Sequence, residues 1–138
     1  MITCGIDLAA NNAFFVILKK EGGIISDVTG KFTKLSIKDD ENCKEIRSFS
    51  ETIKVHFDTI MPERIGIIKR NKMGKFAGGA VSFKMEGLIQ LYEKRNIALV
   101  SPHTLRSFQK KENCQIHPVY KYQKNAYLLA LYLLNFKE

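Results

Sequence analysis

Cysteine is sparse in this chain and poorly placed for chemistry. Cys4, Cys43 and Cys114 form neither a C-x-x-C pair nor the Cys/His spacing of a zinc site. Odd in number and widely spaced, they read most economically as reduced thiols in a cytoplasmic protein. Long apolar runs are missing too: Ala126 to Phe136 is the longest candidate, well short of the roughly 20 residues of a membrane span. Asp7 and the Asn11-Asn12 pair interrupt the N-terminal apolar stretch, so no signal peptide and no membrane partner are expected. Acids are in short supply, with 14 Asp and Glu against 22 Lys and Arg, a net charge of +8. Such a surface attracts polyanions wherever the charges cluster. With 138 residues, 45% of them hydrophobic, the chain is long enough for one buried core, so a single domain over residues 1–138 is expected.

Apolar spacing orders the elements. Ile2 to Ala9 and Ala13 to Lys19 are short β-branched and aromatic runs joined by Ala10-Asn11-Asn12, which predicts an antiparallel hairpin with asparagine taking the left-handed turn. Lys31 to Ile37 predicts a third, edge strand. Acids at Asp39 to Glu41 precede Ile46, Phe49, Ile53, Phe57 and Ile60, whose spacing is that of an amphipathic helix closed by Pro62. A buried strand follows at Ile65 to Ile68, then a helix over Ala80 to Asn96 with Phe83, Leu88, Leu91 and Tyr92 inward, then a strand at Ile97 to Val100. His103, after Pro102, is placed to cap a helix beginning at Thr104. The last helix runs from about Tyr122 to Phe136 with Ala126, Leu129, Ala130 and Leu133 as its inward stripe. The main series is β-β-β-α-β-α-β-α: a mixed five-stranded sheet with helices on both faces.

Between Arg64 and Met85 there is no acid at all. Within that stretch the strand RIGIIKR feeds the loop NKMGKFAGG, which runs into a helix, an arrangement that gathers backbone N–H groups and positive charge for an anion. Lys69, Arg70, Lys72 and Lys75 would contact phosphate. Arg106, Lys110 and Lys111 form a second basic cluster, and Lys121 and Lys124 a third, with Tyr120 and Tyr122 interleaved. Aromatics among lysines suit base stacking, but Phe76 and Phe108 fit equally well as core anchors. The glycines of the loop match neither the P-loop nor the dinucleotide fingerprint, so no nucleotide cofactor is expected.

The element order is that of the ribonuclease-H-like fold, and short motifs carry the likeness further. Gly5-Ile6-Asp7 resembles the first-strand G-I-D of the RuvC-type Holliday-junction resolvases. Ile65 to Asn71 resembles their strand ending in a metal-binding Glu, and Gly78 to Gly87 the helix after it. Val100-Ser101-Pro102 through Lys110 is similar to their strand-Pro-helix segment, which implies a helix after the fifth strand, and Asn125 to Ala130 to their C-terminal helix. The run GKFAGGAVSFKMEG also resembles one from a small bacterial family of this length with no established activity.

RuvC-type enzymes hold two divalent cations with four carboxylates, because two metals about 4 Å apart need their repulsion neutralised while they orient water and leaving oxygen. Here only Asp7 matches. Lys69 stands at the second position, and Tyr122 and Asn125 stand where two acids would sit on the last helix. Asp7 is the one candidate catalytic acid, no bound metal is expected, and pairing with Lys69 would make it structural. The expected function is nucleic-acid binding through a basic cleft without two-metal cleavage. The alternatives are a protein-interaction module, including a homodimer, and a divergent enzyme using Asp7, with Lys69 as its acid–base partner.

Overall fold

The computed structural model describes residues 1–74 and 78–136. Strands β1 (Ile2–Ala9) and β2 (Asn12–Glu21) form the expected antiparallel pair. Nearly every residue of β1 is buried, because β1 lies between β2 and β5 (Arg64–Ile68) with helices above and below. That is why it reads as a continuous apolar run rather than an alternating one. The turn differs from expectation: Ala10, not an asparagine, takes the left-handed conformation, with φ 54°. The turn is pinned from outside, where the Ser82 hydroxyl donates to Ala10 O and Ile37 N–H to Asn11 O.

The sheet has six strands rather than five, in the order β3-β2-β1-β5-β6, with β4 also on β2. Strand β3 (Ile24–Asp27) is the addition. It returns antiparallel along β2 through Gly22 and Gly23, both at positive φ, which only glycine adopts without cost. The expected edge strand is β4, reduced to Lys34–Ser36 and paired with the start of β2. Strand β6 (Ile97–Val100) runs parallel to β5.

Helix α1 (Cys43–Ile60) begins at Asn42, whose side chain accepts from Glu45 N–H, and buries Phe49, Ile53 and Phe57. Helix α2 is shorter than its apolar spacing predicts, Ala80–Gln90. It turns Ser82, Met85 and Ile89 inward, and Leu91 is left exposed beyond its end. These two helices cover the face carrying Cys4, Ile6, Leu8, Phe15 and Ile67. The opposite face carries α3 (Pro102–Glu112) and α4 (Lys124–Asn135), the latter preceded by a 3-10 turn at Lys121–Gln123. The main predicted series omitted α3, although a helix from Thr104 was expected beside it, from a cap at His103 and from the resemblance. Ser101, not His103, caps it: the Ser101 hydroxyl accepts from Thr104 N–H at 3.1 Å.

Helix α4 sits so close to β1 that backbone meets backbone. A Cβ at Gly5 would lie 2.1 Å from Ala126 O, and the Thr3 hydroxyl donates to Ala130 O at 2.8 Å. The Gln123 amide adds a bond to Phe15 O, and Arg64 donates to Leu133 O. All four residues of the predicted inward stripe are buried. Among the described residues no helix is long and apolar enough to cross a membrane.

Candidate nucleic-acid interface

Parallel strands place their carboxyl ends together, and the cleft opens there, as ligand sites in open α/β sheets do. Asp7 stands near the end of β1, Ile68 at the end of β5, and Leu105 and Arg106 come from α3, whose N-terminus follows β6. Lys124, Asn125 and Leu128 close the other wall from α4. The cleft encloses about 420 Å³ and is lined also by Lys69, Arg70, Asn71, Pro102 and Gln109. Four of the expected cations, Lys69, Arg70, Arg106 and Lys124, are therefore brought around one acid. Lys72, Lys110, Lys111 and Lys121 do not line it, and Lys75 lies outside the described residues. Lys110 and Lys111 occupy the last turn of α3, where cations complement the helix dipole.

Asp7 is 9% exposed, and burial raises its pKa; the Asn125 amide and the nearby charge of Arg70 pull the other way. The amide nitrogen of Asn125 stands 3.5 Å from Asp7 Oδ2. No ion pair joins Asp7 to Lys69 among the described residues, contrary to the pairing expected from sequence. The chain geometry explains this. Strand β5 ends at Ile68, Lys69 N–H donates to Val100 O, and the Lys69 side chain is exposed. Arg70 instead folds back, donating to Leu8 O at 2.7 Å, which brings its guanidinium towards Asp7.

The loop after Arg70 is closed at its base by Gly78 N–H donating to Asn71 O at 2.8 Å, so that N–H is not free for an anion. Gly78 packs on Arg70: a Cβ there would come within 2.9 Å of the Arg70 side chain, whereas one at Gly79 would meet nothing within 4 Å.

The metal constellation does not assemble. No three His, Cys, Asp or Glu side chains among the described residues are grouped to hold an ion. Around Asp7 stand a neutral amide and a guanidinium, and neither supplies the negative charge that two divalent cations require. These residues do not fit a two-metal centre. The resemblance had placed Asn125 at this site, where an acid would sit, but nothing in the sequence marked Arg70 rather than Lys69 as the cation facing Asp7.

The family model DUF3010, described as a protein of unknown function, matches residues 1–133. The chain belongs to the DUF3010 family. No curated relative matches it. Among solved structures, Thermus thermophilus RuvC superposes with a TM-score of 0.73 at 10% identity, covering 98% of this chain and 96% of that one. T. thermophilus RuvC in complex with a Holliday junction substrate gives 0.70 at 12% identity, with the same coverage of both chains. The fowlpox virus Holliday junction resolvase gives 0.53 at 10% identity over 98% and 99%. This DUF3010 member therefore has the ribonuclease-H-like fold of the RuvC-type resolvases, as its element order predicted.

Proposed function

We propose that this DUF3010 protein binds nucleic acid in the cleft at the carboxyl ends of β1, β5 and β6, and that its role is binding rather than two-metal cleavage. One observation carries the reading: Lys69, Arg70, Arg106 and Lys124 converge on a cleft whose sole acid is held by an amide and faced by a guanidinium. Cations at that density favour phosphate, and a lone carboxylate gives a divalent cation nothing to bridge. The RuvC structure with its junction substrate adds that a chain of this shape can hold branched DNA. The unpaired cysteines are consistent with a cytoplasmic setting. The rival reading, a protein-interaction module or homodimer, calls for apolar side chains exposed along α2, but Phe83 and Leu88 are half-buried and the exposed Leu91 lies just past its end.

Fluorescence anisotropy with the double variant Lys69→Ala, Arg106→Ala tests the reading. Two lost phosphate contacts lower the slope of log affinity against log salt by about 2, irrespective of base sequence. Unchanged affinity and slope would overturn the cleft as the binding surface. A four-way junction held with the protein in Mg²⁺ or Mn²⁺ stays intact; cutting that Asp7→Asn abolishes would overturn the non-catalytic part.

A further inference from the structure

Beside the cleft lies an aromatic surface that phosphate binding does not use. Asp7 and Phe14 are direct cross-strand partners on β1 and β2, and Phe14 is in turn paired with Lys34 on β4. The Phe14 ring packs on Tyr122, with centroids 4.7 Å apart. Tyr122 is anchored: its hydroxyl hydrogen-bonds Thr33 at 2.8 Å, and the Lys34 ammonium lies 5.9 Å from its ring centroid. Tyr120 then lies parallel on Tyr122, centroids 5.3 Å apart and planes within 8°. Tyr120 is 50% exposed although its ring is covered on one side by Tyr122, so its outer face is open to solvent. Lys121 lies between the two tyrosines in the chain and Lys124 two residues beyond them, and Asn125, one residue on, contacts Asp7. The platform therefore continues the cationic cleft rather than standing apart from it.

A flat ring, stiffened from behind by two further rings and bordered by ammonium groups, has the chemistry of a nucleobase-stacking platform, since every base has a π-face and its phosphate needs a cation. Paired bases inside a duplex cannot offer that face. We propose that Tyr120, backed by Tyr122 and Phe14, stacks an unpaired base of the nucleic acid whose backbone the cleft holds, so that the preferred ligand is single-stranded or carries unpaired bases. The proposal rests on the binding role assigned above and deepens it by naming the ligand class.

Anisotropy titrations of the full chain with a single-stranded oligonucleotide and with a duplex of equal phosphate number separate the two claims. Tyr120→Ala is expected to lose about tenfold in affinity for the single strand and less than about twofold for the duplex. Tyr120→Phe keeps the ring and should bind both as the unaltered protein does. An equal loss on both ligands, or no loss on the single strand, would overturn the platform while leaving the cleft assignment standing. Failure of the unaltered protein to bind either ligand at low salt would overturn both. Circular dichroism of Tyr120→Ala checks that the fold is kept, and the Tyr120→Phe arm decides the matter if it is not: affinity lost while the ring is retained contradicts stacking.

Discussion

Gly5 sits where the sheet and its covering helix come closest. A methyl group there would press on Ala126 O at 2.1 Å and Ala130 N at 2.7 Å, backbone atoms that cannot swing aside. Gly5→Ala is expected to destabilise by about 3 kcal/mol, the upper end of overpacking costs, measured by denaturant unfolding. Gly66→Ala, which would meet only Leu133 and Leu129 side chains at 3.1 to 3.4 Å, should cost clearly less. Asp7 gives a pH-dependent prediction. Burial raises its pKa above the ordinary 3.8, so in the window between the two values the folded state holds a proton that the unfolded state has released. Stability contributed by Asp7 is then fully present below about pH 3.8 and is lost as pH rises through the raised value. Asp7→Asn should therefore melt at a higher temperature than the unaltered protein at pH 7, with the difference narrowing towards pH 3; a variant less stable at pH 7 would contradict this. The sequence pointed to Asp7, through the G-I-D likeness and its position in an apolar strand. Its cationic neighbour was not legible, because a lysine at the end of β5 and an arginine beside it differ only in which one the turn folds back.

At the scale of elements, the strands and helices with strong apolar periodicity were legible, and those without it were not. β1, β5 and β6 announce themselves as apolar runs, and α1 and α4 by regular stripes that the structure buries. β3 escaped because all four of its residues are exposed, so nothing in Ile24 to Asp27 alternates; the Gly22-Gly23 pair was the available signal. α3 was legible only from its start after Pro102, because Leu105 is its one buried residue and no apolar stripe marks the rest. The end of α2 was not legible, since Leu91 and Tyr92 continue a helical spacing after the helix has ended at Gln90. The loop between β5 and α2 yields an element-scale prediction. Gly78→Val should displace Arg70 from Leu8 O, lowering nucleic-acid affinity several-fold and stability by about 1 kcal/mol. Gly79→Val, in open space at the N-cap of α2, should leave affinity unchanged and cost at most about 1 kcal/mol through the poorer cap. Equal binding by the two variants, measured by anisotropy, would separate Arg70 from the site.

For the whole molecule, the fold supplies a geometry and the charge supplies a use for it. A net +8 spread evenly would be only a solubility device, but three separate stretches of sequence send cations to one cleft at the strand ends. The convergence was legible in outline from the element order, and the exclusion of Lys110, Lys111 and Lys121 from the cleft was not, because it depends on the direction in which each helix turns its exposed face. The most direct measurement of the central claim is the affinity of the unaltered protein for nucleic acid as salt is raised from about 50 to 200 mM. Four cleft cations acting on phosphates predict a straight line of log affinity against log salt with a slope of about −3 or steeper. A flat dependence, or no binding at the lowest salt, would contradict the account.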